Sequence, residues 1–260
     1  MNEIIKSIAG TPSVLSQIYN DLASPSVKAI GNALGTVFEY GTNFLLPLKL
    51  KNEKMKATFS HNLDVYQKKL ETIPEENRCE VHPQIGTPLV DKLTYTTNEE
   101  IAELFTSLLA SASDNRTTKF VHPSFVGIIE NLSVDEARII EYLSGKEMIE
   151  FCSIRAYNSS GGFNTLFDHV TNISSDVSLL YPENVAASLS NLVRLGFLLE
   201  PPGLSHLDKT EYNRIRSSLG FEQLKKELVP SVYKKLECKE GYYRVTPFGW
   251  LFISAVFTKR

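Results

Sequence analysis

The chain has 260 residues, enough for one large domain or two modest ones, with 42% apolar and 22% charged side chains as in soluble globular proteins. Its net charge of −3 gives no overall attraction to nucleic acid. The charge is unevenly spread: residues 1–147 carry 14 basic against 19 acidic side chains, residues 148–260 carry 13 against 11. Cys79, Cys152 and Cys238 are far apart and form no Cys-x-x-Cys pair, and the N-terminus is too weakly basic and apolar for an export signal. Together these features predict reduced thiols and a cytoplasmic protein. No run of 18 uncharged apolar residues occurs, which argues against a conventional membrane span.

In chain order, short helices are expected at 2–9 and from Pro12 onward, before "ASPS" breaks the pattern at Pro25. Residues 26–48 then read as a helix that is apolar almost all round, with only Lys28 and Glu39 charged. Gly31 and Gly35 share one of its faces and allow another helix to approach closely, with Phe38 and Phe44 beside them. Such a segment suits either a buried central helix or one that contacts a membrane when released. A charged helix over about 48–72 follows, with Phe59, Leu63, Tyr66 and Leu70 as its buried stripe.

Residues 79–96, with two prolines, read as an irregular connector holding at most one short helix. The clearest helix begins at "TTNEEIAELFTSLLASASDN", where Thr97 and Glu100 make a capping box and Ile101, Leu104, Phe105, Leu108 and Ala112 form the buried stripe. A short helix is expected at 123–131, and Ser133 with Glu136 caps the next, which ends before Gly145. No strand pattern appears before this point, so residues 1–147 are expected to form an all-α helical domain.

"NSSGG" at 158–162 reads as a linker or turn, and "FNTLFDHVTNISS" fits neither period cleanly. Pro182 starts a helix running to Leu195, stopped by Gly196. "FLLE" and "YYRVT" read as two strands of a ribbon, and a final apolar helix follows Thr246-Pro247. The fold class expected is therefore mainly α: an N-terminal helical bundle, then a C-terminal winged-helix-like α+β module over 148–260 with a helical insertion at about 203–240.

Such a module raises the question of DNA reading. The helix over 183–195 offers Asn184, Ser188, Asn191 and only one cation, Arg194, which is a polar face rather than a basic one. The insertion adds Arg214, Arg216, Lys225 and Lys226 as a basic rim, with Tyr212 and Tyr233 as stacking candidates. Glu211, Glu222 and Glu227 at helical spacing make a solvated, ion-paired face the simpler account.

No catalytic chemistry shows itself. The histidines His61, His82, His122, His169 and His206 lack metal-site spacing, and no nucleophile elbow or phosphate-binding glycine loop occurs. Asp168 and His169 are neighbours, which on a helix would point their side chains apart. No cofactor, metal or small-molecule substrate is expected; a hydrolase site assembled from distant residues would escape this reading.

Several stretches resemble the bacterial abortive-infection alpha family: "YNDLASPSVKAIGNALGTVFEYGTNFLLPLKL", "EIAELFTSLLASASDN", "HPSFVGIIENLSVDEARII" and "RVTPFGWLFISA". The run Phe105 to Ala110, His122-Pro123 and Leu132-Ser133-x-Asp135-Glu136-Ala137 carry most of the likeness, which extends over roughly residues 15–256. The resemblance implies a cytosolic prokaryotic protein linked to phage defence and brings no catalytic residues with it. Three functions follow: a non-enzymatic effector working through protein partners or self-association, a winged-helix DNA-binding regulator, and a membrane-active effector using residues 26–48.

Overall fold

A computed structural model describes residues 52–229 and 232–257. The glycine-rich segment with Gly31, Gly35, Phe38 and Phe44 lies outside the described residues. The described chain is mainly α, with ten α-helices and one four-stranded antiparallel sheet. It divides into two compact units: residues 52–132 with 251–257, and Ser133–Trp250.

The first unit is helical. Helix α1 (Glu53–Glu71) is capped by the Asn52 carboxamide, which accepts from the Lys54 and Met55 amides. It buries Phe59, Leu63, Tyr66 and Leu70 as the spacing predicts, and Asn62 as well. The Asn62 side-chain amide donates to the carbonyls of Leu93 and Thr96 at 2.8 and 3.0 Å. It thereby closes the open end of α2 (Pro83–Leu93), the segment expected to be mostly irregular. There Pro83 takes the first helical position and the His82 imidazole caps the amide of Gln84. Pro88 within the helix removes one backbone hydrogen bond, and burial of Leu89, Val90 and Leu93 offsets it.

Helix α3 (Glu99–Ala112) is capped by Asn98, one residue after the expected Thr97, with Asn98 Oδ1 accepting from the Ile101 amide at 3.0 Å. Every residue from Leu104 to Ala112 is buried, so α3 is enclosed all round rather than amphipathic. Its buried hydroxyls are satisfied locally or by neighbours: Thr106 by the Glu103 carbonyl, Ser107 by Lys69 and Ser111 by the Ala255 carbonyl. Helix α4 (Ser124–Glu130) completes this unit, with Phe125 set edge-on to Phe252 at 5.1 Å.

The second unit opens with α5 (Val134–Leu143), where the capping box of Ser133 and Glu136 forms as expected. Strands β1 (Met148–Tyr157) and β2 (Phe163–Val170) then make a hairpin, and "NSSGG" is its turn, with Gly161 at φ 87°. A four-residue helix α6 (Ile173–Asp176) leads to α7 (Val185–Arg194), which ends at Gly196 at φ 80°. Next come β3 (Leu198–Leu199), α8 (Thr210–Ser218), α9 (Phe221–Leu228), β4 (Lys235–Val245) and α10 (Pro247–Val256), whose last residues belong to the first unit.

The strand order is β2-β1-β4-β3. The expected ribbon exists, with Leu198 opposite Val245 and Leu199 opposite Arg244, yet it is two residues long. Most of β4 pairs instead with β1, a ten-residue strand with no clear signal in the sequence. The reason is burial: β1 is central and buries Phe151, Cys152, Ser153 and Ile154 in succession, which erases the two-residue alternation. One face, carrying Cys152, Ile154 and Ala156, packs on Tyr212, Ile215 and Phe221 of α8 and α9. The other carries Phe151, Ser153 and Tyr243 and opens on a cleft beside α7.

Candidate functional site

Strand β2 is irregular, and the irregularity builds the cleft. Its register with β1 slips on both sides of the Ile154–Phe167 pair, so that Cys152 faces Val170. The extra residue is His169, at φ 48° the one non-glycine residue with positive φ among the described residues. This conformation turns the imidazole back over the sheet. Nδ1 lies 3.0 Å from Asp168 Oδ1 and Nε2 lies 3.3 Å from Glu200 Oε2. The ring packs on Phe151 with centroids 4.2 Å apart. Adjacency on a helix would have separated Asp168 and His169; the bulge brings them together, which sequence spacing cannot reveal.

The Ser153 hydroxyl donates to Asp168 Oδ1 at 2.8 Å and accepts from the His169 backbone amide at 3.1 Å. Partial burial would raise the Asp168 carboxyl, but the Ser153 hydrogen bond and the neighbouring imidazole outweigh it and hold the group below its ordinary value. Tyr243 is pushed well up by burial and by the charges of Glu200 and Asp168, so its phenol stays protonated. The cleft, about 340 Å³, is closed on the helix side by Ala186, Ser190 and Val193 of α7. Because Ser153 is turned towards Asp168 and not towards the imidazole ring, the trio does not reproduce an activated serine nucleophile. Among the described residues, no group of three or more His, Cys, Asp or Glu side chains is arranged to hold a metal ion.

The residues expected to touch DNA or a partner separate into two kinds. On α7, Ser188 is buried and faces the interior. Asn191 is structural: its amide donates to Glu136 Oε1 at 2.8 Å, tying α7 to the cap of α5, while its carbonyl oxygen accepts from Arg194 Nε at 2.9 Å. Asn184 stays exposed at the helix entrance. In the insertion, Arg214 is paired with Asp176 and Glu211, and Arg216 with Glu240. Lys225 and Lys226 remain exposed on α9. Tyr212 is fully buried, its hydroxyl donating to the Gly241 carbonyl at 3.1 Å and accepting from the His206 amide at 2.9 Å, so it is not a stacking platform. Tyr233 packs into the cluster around Phe221. His122 serves its turn, with Nδ1 accepting from the Ser124 amide at 3.2 Å.

Asp135, in the motif that carries the family resemblance, is buried and accepts from the amides of Leu180 and Tyr181 at 2.7 and 2.8 Å. It fixes the loop that enters α7, and Leu180 and Tyr181 consequently hold their side chains outward, 56% and 60% exposed. In the sequence Asp135 stands out only as part of the motif around the Ser133 and Glu136 cap, and nothing there signals this distant role.

A mainly helical chain with a four-stranded antiparallel sheet and a helix presented beside it is the class of protein these observations define. The abortive infection alpha family profile matches residues 52–256, and the chain belongs to that family. No curated protein matches it. A solved structure of an uncharacterized protein from the hydrocarbon-degrading marine bacterium Alcanivorax borkumensis SK2 is similar to part of it. That match has 19% identity and a TM-score of 0.33, covering 55% of this chain and 96% of the other.

Proposed function

We propose that this protein is a non-enzymatic interaction protein of an abortive-infection response, acting in the prokaryotic cytoplasm through a protein partner or a second copy of itself. Family membership supports the defence role. The observation that carries the interaction reading is the outward face beside α7. Ala186, Ala187 and Ser190 are exposed there, small and uncharged, and Leu180, Tyr181 and Leu199 stand exposed on the flanking segments. In this reading α7 and the β3–β4 ribbon act as a winged-helix-like module whose helix meets protein rather than base edges. A DNA-binding regulator is less well supported, because Arg214 and Arg216 are engaged by carboxylates. The reading through residues 26–48 as a membrane-active segment rests on sequence alone.

The test is a phage challenge of bacteria expressing the chain. Survival at low phage-to-cell ratio with early culture collapse at high ratio is expected, and no protection against any phage overturns the proposal. Tyr181→Ser combined with Ala187→Glu should reduce protection at least about tenfold, the effect of losing one well-packed anchor. Unchanged protection by that correctly folded variant counts against the α7 face.

A further inference from the structure

Beneath α8 lies a pair of thiols that no part of the foregoing reading uses. Cys152 on β1 is opposite Glu240, and Cys238 on β4 is opposite Ile154, so the two cysteines stand one register step apart on the same face of the sheet. Both are reduced; Cys152 is completely buried and Cys238 partly exposed. Tyr212, Ile215 and Leu219 pack over them. The Cys152 thiol donates weakly to the Tyr212 carbonyl at 4.0 Å, and the Arg216 guanidinium pairs with Glu240, the residue opposite Cys152, which brings a cation to the face that carries both thiols. Cys238 is thus a partly accessible thiol on the face where the Arg216–Glu240 pair sits, with a second thiol packed in the same cluster.

We propose that Cys238 is an oxidation site for hydroperoxides, with Cys152 as the resolving thiol that converts it to an intrachain disulfide. The Cys238 thiolate attacks one peroxide oxygen: the S–O bond forms, the O–O bond breaks, and the leaving oxygen takes a proton to become water or an alcohol. Sulfur is oxidised to sulfenic acid and the peroxide is reduced. The Cys152 sulfur then attacks Cys238, forming S–S and breaking S–O, and the departing hydroxide leaves as water with the Cys152 proton. Electrostatics favour these roles. The proximity of Cys238, with burial, raises the Cys152 thiol, whereas the proximity of Cys152 and of the Arg216 cation lowers Cys238 despite burial.

The third cysteine is an internal control. Cys79 lies in the other unit, and burial and the nearby Asp114 raise its thiol. Diagonal residues in an antiparallel pair have Cα atoms about 7–8 Å apart, beyond the roughly 6.8 Å that a relaxed disulfide spans. Closure therefore requires a local strand shift, which makes the bond easily reduced and withdraws Cys238 from Arg216. The expected consequence is a weaker hold of α8 on the sheet, reversible by thiol.

Full-length protein treated with hydrogen peroxide should lose the mass of two hydrogens and yield one crosslinked peptide pair, Cys152 with Cys238. Cys79 should remain alkylatable, and dithiothreitol should restore the starting mass. Cys152→Ser should trap a sulfenic acid at Cys238, detected with dimedone. Because a substitution at buried Cys152 can unfold the chain, Arg216→Gln gives an independent reading. It should slow alkylation of Cys238 by iodoacetamide at pH 7 about fivefold, the loss of thiolate when a thiol lowered to about 7 rises by one unit, and leave Cys79 unchanged. Oxidation confined to Cys79, equal reactivity of all three thiols, or an Arg216→Gln rate equal to wild type overturns the proposal.

Discussion

Asp176 shows how a short helix too small to stand alone is held in place. Its carboxylate accepts from Tyr142 at 2.7 Å, pairs with Arg214 through both oxygens and lies 3.9 Å from Lys146. The Arg214 hydrogen bonds, helped by Tyr142 and opposed by burial, hold its carboxyl below the ordinary aspartate value. Since the folded value is the lower one, Asp176 stabilises the fold above its unfolded value and loses that contribution as pH falls through the folded value. Asp176→Asn should therefore be less stable than wild type near neutrality in urea unfolding. The difference should close below about pH 4. A gap that persists unchanged into that range would mean that packing, not ionisation, is what Asp176 supplies. The same residue explains why the Arg214 charge is not available as a basic rim.

Among the elements, two glycines in helices make opposite demands. Gly127 is exposed inside α4, and a Cβ there meets nothing within 4 Å. Gly127→Ala should stabilise the protein by about 0.5–1 kcal/mol, the backbone-entropy difference of glycine in a helix. Gly249 lies in the first turn of α10, where a Cβ would come within 2.7 Å of the Phe197 carbonyl oxygen and 3.0 Å of Val245. Gly249→Ala should cost about 1–3 kcal/mol through overpacking, and thermal or urea unfolding of the two variants reads the contrast. Both glycines lie in apolar helical text, and only the neighbouring chain distinguishes them. The bulges of β2 carry a similar lesson. They interrupt an edge strand that exposes Phe163 and Phe167, which disfavours pairing with another strand, and they also create the His169 cleft.

For the molecule as a whole, charge decides more than shape about nucleic acid. With a net charge of −3, and with Arg214 and Arg216 engaged, the expected basic rim keeps only Lys225 and Lys226 of its four cations exposed for counterion release. Duplex DNA should show no binding by fluorescence anisotropy at about 10 µM protein and about 0.15 M salt, conditions under which a reader making several phosphate contacts binds. Arg214→Ala with Lys225→Ala should change nothing; salt-dependent binding lost in that variant would restore the DNA reading. Among the described residues no helix is long and apolar enough to cross a membrane.

What the sequence determined by itself is local. The caps at Ser133 and Glu136, the stripe of α1 and the stop at Gly196 depend on residues a few positions apart or on period alone. Family membership was legible in the same way, since its motifs are contiguous. The tertiary structure decided whatever depends on surroundings. Strand β1 has no alternation because both its faces are covered, and α2 tolerates Pro88 because its other side is packed. Asp168 meets His169 through a bulge, and Cys152 meets Cys238 through a register linking residues 86 positions apart. Burial and long-range hydrogen bonds are properties of the assembled chain, and their energies exceed the local preferences from which a sequence is read.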